Sequence, residues 1–319
     1  MDQPRRGYVF GIAAYVIWGF FPPYYKLLSQ AGPVEILAHR VVWSMVFVAG
    51  ILLVGRRGRA IAQIRRLPAR ILLGIAAAAT LIGLNWGMYI YAVVSSQIVE
   101  SSLGYFINPL FVVLLGVVVL GERLRRAQWT AIGVGALAVA VLTVDYGRVP
   151  WIALTLTGSF GTYTLIKKRL ALPAAEGLFV ESAVLAPLAL VYLGYLGQRE
   201  VSAFTTISPS YTMLLMLAGP VTAIPLLCFA NAANAIPMSA LGVLQYITPS
   251  LQFGFGVLVF QEPLPLARLA GFALVWGALA IFTIDGFRHA SGMTSRRGLV
   301  DDLGKHPGGG REPISNHLG

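Results

Sequence analysis

Long apolar runs, separated by short polar or turn-forming segments, occupy most of the 319-residue chain. Because an α-helix rises 1.5 Å per residue, about 20 apolar residues are needed to cross the hydrocarbon core of a bilayer. The pattern predicts an all-α integral membrane protein with ten transmembrane helices. The ten apolar runs are 7–28, 33–55, 71–94, 98–120, 127–145, 149–166, 177–197, 211–232, 238–260 and 266–287.

The chain also contains an internal repeat. Residues 107–145 align with 247–285 at a constant offset of 140, and 12 of the 39 positions are identical. The matches that composition bias does not explain include Pro109/Pro249, Glu122/Glu262, Thr143/Thr283 and Asp145/Asp285. The acidic matches sit at span ends, where we expect them to pair helix ends. Since each half has an odd number of spans, the repeat predicts two inverted five-helix repeats, 7–145 and 149–287, followed by a disordered cytosolic tail, 288–319.

The composition supports a membrane protein and adds an orientation. Hydrophobic residues make up 57% of the chain and charged residues 12%, a balance that excludes a soluble enzyme. The net charge is +11, but basic residues cluster between apolar runs, and 19 of the 24 fall on the side of the N-terminus. We therefore expect a multi-pass protein of the cytoplasmic (inner) membrane with both termini cytosolic. The basic runs 56–70 and 167–169 then meet membrane lipids, and no nucleic-acid partner is expected.

The second apolar run holds the densest group of ionisable side chains within a span. Glu35, His39 and Trp43 recur every four residues and share one helix face, with Arg40 one step round. A charge at a helix centre costs about 2.5–3.5 kcal/mol on insertion scales, so such residues usually face a cavity or a partner. The structural alternative is that Glu35 and Arg40 are interfacial and extend toward the headgroups, with His39 a packing residue.

The fourth and ninth apolar runs each contain an interruption at a proline. In the fourth run Glu100 and Asn108 share one face beside Tyr105, and Pro109 follows. Proline has no N–H and its ring clashes with the carbonyl four residues earlier, so it breaks the hydrogen-bond ladder. The corresponding residues of the ninth run are Gln245, Tyr246 and Pro249. Paired interruptions predict hinges at both prolines around a central site, although prolines also kink membrane helices without any functional role.

Aromatic side chains within the runs are candidates for an amphipathic pocket that stacks a planar or apolar substrate. Most aromatic residues of membrane proteins instead pack or anchor a helix at the interface, and this alternative applies to each of them. With the polar candidates, the predicted substrate pathway comprises Trp18, Tyr25, His39, Arg40, Asn85, Trp86, Tyr89, Glu100, Tyr105, Asn108, Tyr163, Gln245 and Tyr246.

Four motifs carry a family resemblance. The most specific is E-S-S-L-G-Y-F-I-N-P-L at 100–110, accompanied by E-I-L-A-H-R-V-V-W-S at 35–44, N-W at 85–86 and Q-Y-I-T-P at 245–249. Together they resemble the RarD-type permeases of the EamA branch of the drug/metabolite transporter superfamily, over roughly residues 7–287. The resemblance implies an inner-membrane carrier of two EamA repeats, a fold used mainly to export small metabolites and drugs.

These features favour a secondary transporter that moves small organic metabolites or drugs by alternating access, as an exporter. The alternatives are a membrane-embedded enzyme and a channel. The single Cys228 and four scattered histidines form no metal-ligand spacing, and no Gly-rich phosphate loop is present, so we expect no metal and no cofactor. The polar groups do not form the ring that a channel needs. A homodimer is compatible with the sequence.

Proton coupling is a further expectation. Glu100 and His39, with Glu35 as a third candidate, are the titratable groups that we expect to face the pathway from opposed helices. Arg40 is always charged, and it is an alternative partner for Glu100 or for the carboxylate of a substrate. In the Arg40 pairing, Glu100 has a structural role.

Overall fold

The structure is a computed structural model that describes residues 3–55, 68–121, 123–170, 173–236, 240 and 244–304. The regular structure within this described chain is helical. In chain order the helices are α1 Gln3–Gly19, α2 Phe21–Leu27, α3 Pro33–Val54, α4 Ala69–Val94, α5 Ile98–Leu120, α6 Arg126–Tyr146, α7 Trp151–Leu170, α8 Ala174–Gln198, α9 Pro209–Ala235, α10 Ile247–Gly254 and α11 Leu266–Gly304. A five-residue π-helical turn, Phe255–Val259, continues α10.

Seven of the described helices are long and apolar enough to cross a bilayer, namely α3, α4, α5, α6, α8, α9 and α11. The chain is therefore a multi-pass membrane protein. The other predicted spans depart from a single long apolar helix. The first is divided, α7 has a basic end, and the described part of the ninth includes the eight residues of α10 and the five of the π-helical turn. The count of ten spans stays a prediction.

The first predicted span, 7–28, is two helices rather than one. The helix breaks at Phe20, because two successive prolines beginning at Pro22 cannot donate the N–H groups that a continuous helix needs. The carbonyl of Trp18 would otherwise accept from the N–H of the residue four positions later. It accepts instead from Nε2 of Gln252 at 3.2 Å. A side chain of α10 thus satisfies the backbone at the joint between α1 and α2.

The last helix continues past the predicted end of its span. We expect disorder over 288–319, but α11 extends to Gly304. Extending an existing helix is far easier than nucleating one, and the first proline of this segment is Pro307. α11 therefore continues beyond residue 287 as far as Gly304. Residues 305–319 lie outside the described residues, and the disordered tail stays a prediction.

Two ion pairs between α6 and α11 show how these helices are oriented. Arg125, just before α6, binds Asp285 of α11, and Arg268 in the first turn of α11 binds Asp145 near the end of α6. The distance from Arg268 Nε to Asp145 Oδ2 is 2.9 Å. Since each pair joins the start of one helix to the far end of the other helix's membrane-capable segment, α6 and α11 are antiparallel, and the predicted pairing at span ends is confirmed for these two aspartates. We call the two ends of the bundle the Arg268 end and the Asp285 end.

Helices of the two halves pack in a two-fold pattern. α6 packs against α11 and α3 against α8, and the members of each pair are equivalent at the offset of 140. Likewise α1 packs on α9 as α7 packs on α4, and α5 packs on α7 as α10 packs on α1. Glycines permit the closest approaches: a Cβ added at Gly104 would lie 2.8 Å from the Ala153 carbonyl oxygen, and one at Gly219 would lie 2.3 Å from that of Trp43.

Candidate functional site

Arg40 on α3 is a buried cation surrounded by aromatic rings. The residue is 3% exposed. Its Cζ atom lies 4.1 Å from the ring centroid of Trp86 on α4, and 5.6 Å and 5.7 Å from those of Phe21 and Tyr25 on α2. Within the described residues, none of the ion pairs includes Arg40, and its Nε has no hydrogen-bond partner. The contacts that stabilise this charge are cation–π contacts.

A series of ring contacts leads away from Arg40 through the bundle. Tyr25 contacts Tyr89 at a centroid distance of 6.0 Å, and Tyr89 contacts Tyr105 at 5.9 Å. Tyr105 contacts Phe160 at 6.3 Å, and Phe160 contacts Tyr163 at 6.0 Å. We call these five residues the aromatic ladder. Its rings come from α2, α4, α5 and α7, so helices of both halves contribute to it.

A buried carboxamide positions the middle of the aromatic ladder. Asn85 on α4 donates from Nδ2 to the Leu156 carbonyl at 3.0 Å and to Ser159 Oγ at 3.1 Å, both on α7. Its Oδ1 accepts from the Tyr105 hydroxyl at 3.2 Å. Because its amide nitrogen and its oxygen are both engaged, Asn85 joins α4, α5 and α7 and orients the Tyr105 ring.

The aromatic ladder ends at a partly buried ion pair. Lys167 on α7 binds Glu181 on α8, and the Tyr163 hydroxyl donates to Glu181 Oε2 at 3.1 Å. The Lys167 Nζ atom also lies 5.6 Å from the centroid of the Tyr163 ring. Lys167 belongs to a basic run that we expect at the lipid headgroups, whereas the structure directs it at a glutamate that is 2% exposed. The ladder therefore connects Arg40, a cation without a carboxylate partner in the described chain, to a cation that has one.

Glu100, in the first turn of α5, forms its ion pair and its hydrogen bonds with other residues of the protein. Its Oε2 accepts from Arg148 at 2.8 Å, and its Oε1 accepts from the backbone N–H of Ile152 at 3.1 Å. Glu100 thus forms an ion pair and caps the start of α7. The alternative pairing with Arg40 is not formed, because these two partners occupy the Glu100 carboxylate.

Glu35 and His39 face the connection between α8 and α9. Glu35 Oε1 accepts from the Ser202 hydroxyl and from the Ala203 N–H, both at 2.8 Å. The His39 ring lies 4.7 Å from the Phe204 ring, and neither imidazole nitrogen has a hydrogen-bond partner in the described chain. Glu100 and His39 therefore contact different elements, and the expectation that both face one pathway from opposed helices stays a prediction.

His39 also lines a pocket of about 650 Å³, together with Trp43, Phe204 and Thr205. The indole Nε1 of Trp43 has no hydrogen-bond partner within the described chain. The lining residues include no member of the aromatic ladder, so this pocket is a separate feature of the molecule.

The remaining candidates lie around the ladder or away from it. Trp18 contacts the rings of Tyr15 and Phe229, at 5.5 Å and 5.9 Å. Tyr246 follows Gln245 in the turn before α10, and its ring packs on the hydrophobic cluster of α5, α6 and α11 rather than on the ladder.

Asn108 and the two predicted hinges differ in their surroundings. Asn108 Oδ1 has no hydrogen-bond partner in the described chain and would lie 3.4 Å from a Cβ at Gly161. Pro109 lies inside the continuous helix α5, whereas Pro249 lies in the first turn of α10. A first-turn N–H has no acceptor within its own helix, so Pro249 removes no hydrogen bond from α10.

Sequence reasoning missed Gln252. This residue is 2% exposed, and its Nε2 donates a hydrogen bond to the Trp18 carbonyl. Its Oε1 has no hydrogen-bond partner in the described chain, and its side chain is a polar neighbour of Tyr89. The repeat gives no signal for it, because Val112 occupies the equivalent position. Its spacing of seven residues from Gln245, about two helical turns, is the signal that was available.

Comparisons with known proteins identify similar chains. The chain matches the model of the EamA-like transporter family over residues 5–144. It is 49% identical over 296 residues to protein RarD of Streptomyces exfoliatus, which covers 92% of this chain and 93% of that protein. It is 40% identical over 283 residues to protein RarD of Escherichia coli strain K12, covering 89% of this chain and 95% of that protein. An uncharacterized transporter of Vibrio cholerae is 40% identical over 296 residues, covering 93% and 97%.

The fold is also similar to that of a protein of known crystal structure. The TM-score is 0.58 and the sequence identity is 19%, over 88% of this chain and 98% of that chain. At this identity the similarity describes the arrangement of helices and carries no information about the substrate.

Proposed function

The chain belongs to the EamA-like transporter family as a RarD-type permease, and we propose that it is a secondary carrier that moves a small organic molecule by alternating access. It is a multi-pass membrane transporter of the drug/metabolite superfamily. We further propose that it is an exporter of the cytoplasmic membrane, with ten spans in two inverted repeats, 7–145 and 149–287, and with both termini cytosolic. The two-fold pattern of helix packing supports the inverted repeats.

The observation that carries the proposal is the aromatic ladder with Arg40 at one end. Aromatic rings and a few polar groups buried between helices of both halves are the features of a binding site for a small amphipathic molecule. In a carrier with inverted repeats such a site lies between the halves. The ladder meets this condition, because α2, α4 and α5 precede residue 147 and α7 follows it.

The joint between α1 and α2 supplies a means of movement. The backbone ladder is interrupted at Phe20, and the carbonyl of Trp18 depends on Gln252 of the other half. Moving α10 relative to α1 therefore changes the hydrogen bonding next to Tyr25, which begins the aromatic ladder. We propose that this joint, rather than a pair of equivalent proline hinges, couples the two halves.

Among the three candidates for proton coupling, the contacts favour His39. Glu100 and Glu35 both accept hydrogen bonds from backbone N–H groups and from side chains, so each has a structural function. We propose that Glu100→Gln lowers every transport mode together, as expected from loss of the Arg148 ion pair.

The test is transport by purified protein in proteoliposomes loaded with a mixture of small metabolites. We expect saturable counterflow of a labelled compound, and we expect Tyr105→Ala to lower it by about tenfold, since this change empties the middle of the aromatic ladder. Tyr195→Ala is the matched control, because Tyr195 is 52% exposed on α8. Flux that never saturates would indicate a channel, and equal losses in both variants would contradict the site.

A further inference from the structure

We infer that the substrate is an organic anion with a planar apolar body, and that its carboxylate binds Arg40 as the missing counter-ion. This inference rests on the proposed function, because it assigns a chemical class to the substrate of the same site. The first step is the charge itself. A guanidinium remains protonated under all ordinary conditions, so Arg40 cannot lose its charge when it is buried.

The second step is the distribution of carboxylates around Arg40. Buried carboxylates lie on α3, α5 and α8. Glu35 accepts a hydrogen bond from the loop after α8, Glu100 forms an ion pair with Arg148, and Glu181 forms one with Lys167. Each has partners of its own. A buried charge without a carboxylate is unfavourable in the free protein. An incoming anion therefore meets a guanidinium that is already desolvated, and their attraction offsets the desolvation of the anion.

The third step is the effect of Arg40 on the aromatic cage. The aromatic cage consists of the rings of Phe21, Tyr25 and Trp86, which surround the Arg40 guanidinium. Such rings attract cations, and aromatic cages in proteins commonly bind cationic ligands. In this protein Arg40 already occupies the face of Trp86, at 4.1 Å. A cationic substrate would meet a like charge, whereas an anionic one meets a guanidinium whose edge can bind both oxygens of a carboxylate.

Arg268 provides a comparison, because it is an arginine that is close to an aromatic ring and also has a carboxylate partner. Arg268 also lies 4.1 Å from a ring centroid, that of Tyr146, but it is paired with Asp145. The distance to the nearest ring centroid is the same in both places, but Arg268 has a carboxylate partner that Arg40 lacks in the described chain. Stacking alone therefore does not explain the absence of a carboxylate partner for Arg40 in the described chain.

The fourth step concerns the remainder of the substrate. The ladder rings beside Arg40 provide apolar faces for a planar group. The hydroxyls of Tyr25 and Tyr89 are buried and make no direct hydrogen bond in the described chain, although Thr222 is a polar neighbour of Tyr25 and Gln252 one of Tyr89. They can serve a carboxylate oxygen or a further polar group on the substrate, which distinguishes such a ligand from a simple fatty acid.

The experiment uses three probes with one body and different charges: 3-phenylpropionate, 3-phenylpropanamide and 3-phenylpropylamine. Binding to the purified full-length protein is measured by calorimetry and by thermal shift, without any transport step. We expect the carboxylate to bind at least about tenfold more tightly than the amide, and the amine not to compete with it. A carboxylate that binds no more tightly than the amide or the amine overturns the inference.

Two variants locate the effect. Arg40→Met should abolish the preference for the carboxylate without lowering the melting temperature of the free protein, because it removes a buried charge that lacks a carboxylate. Arg268→Met, the matched control, should lower the melting temperature and keep the preference. Loss of the preference in both variants, or only in Arg268→Met, contradicts the inference.

Arg40→Lys keeps a charge but not the planar fork, so it should retain part of the preference. If Arg40→Met fails to fold, the inference is tested by Arg40→Lys and by the three probes on the unchanged protein. The outcome is separable from that of the proposed function. Carboxylate binding with no transport would contradict a carrier and leave the carboxylate-binding site at Arg40 intact, whereas transport unaffected by Arg40→Met would contradict this inference and leave the carrier intact.

Discussion

The helix α5 and the shorter helix α10 are equivalent in the repeat, yet they fold differently. α5 is continuous over 23 residues and contains Pro109 in its interior. α10 has eight residues, carries Pro249 in its first turn and continues into the π-helical turn Phe255–Val259. The sequence repeat therefore fixes which residues are equivalent without fixing the same backbone, and the symmetry of the scaffold is broken beside the aromatic ladder. π-Helical turns are frequent at functional sites, where they redirect side chains.

The two elements also depend on each other at the Arg268 end. Glu262, three residues after the end of the π-helical turn, accepts from the N–H groups of Ile98 and Val99 at 2.7 Å and 2.8 Å, and so caps α5. Burial raises the pKa of the Glu262 carboxyl, and these two hydrogen bonds oppose the shift. Its repeat equivalent, Glu122, lies outside the described residues.

The largest effect should follow from removing this cap. Glu262→Ala leaves two buried N–H groups without an acceptor, and we expect a loss of about 3–4 kcal/mol in the free energy of unfolding. The melting temperature of the purified protein measures it. Glu262→Gln keeps one acceptor oxygen and should lose about half as much. An unchanged melting temperature in the alanine variant would show that α5 does not depend on the second half.

The two prolines provide the next comparison. Pro109→Ala restores an N–H inside α5 that can donate to the Tyr105 carbonyl, so the variant should be more stable by about 2 kcal/mol and should transport more slowly. Pro249→Ala should change stability by less than about 0.5 kcal/mol, because a first-turn N–H lacks a helical acceptor. Equal effects in melting and counterflow assays would restore the view that the two prolines are equivalent hinges.

Part of this site can be predicted from the sequence because a charged side chain inside a membrane span is unfavourable and therefore indicates a partner or a cavity. Arg40 stands out as a cation in an apolar run, and Trp86 and Tyr89 as aromatics that need a polar partner or an interface. The structure places these residues together. By contrast, the ion pair of Glu100 with Arg148 joins two helix ends that are far apart in the sequence, and no local periodicity specifies such a contact.

The break in the first span illustrates a different limit. The signal was present, since Pro22 and Pro23 follow each other within 7–28. The two prolines do not by themselves predict a break in a long apolar run, because membrane helices tolerate proline when another group satisfies the freed carbonyl. That group is Gln252, which lies more than 200 positions later and comes close only through tertiary packing.

The smallest effect tests this last contact. Gln252→Leu removes the donor to the Trp18 carbonyl and should cost about 1–1.5 kcal/mol in unfolding free energy. Thr248→Val is the matched control on α10: Thr248 donates to the Tyr15 carbonyl at 2.8 Å, but that carbonyl lies within α1 and has a helical donor as well, so the loss should be smaller. Pro22→Ala provides the decisive background, because it returns an N–H to the Trp18 carbonyl. In that background Gln252→Leu should be nearly neutral in melting measurements, and a cost as large as in the unchanged protein would mean that Gln252 acts through its packing rather than through the hydrogen bond.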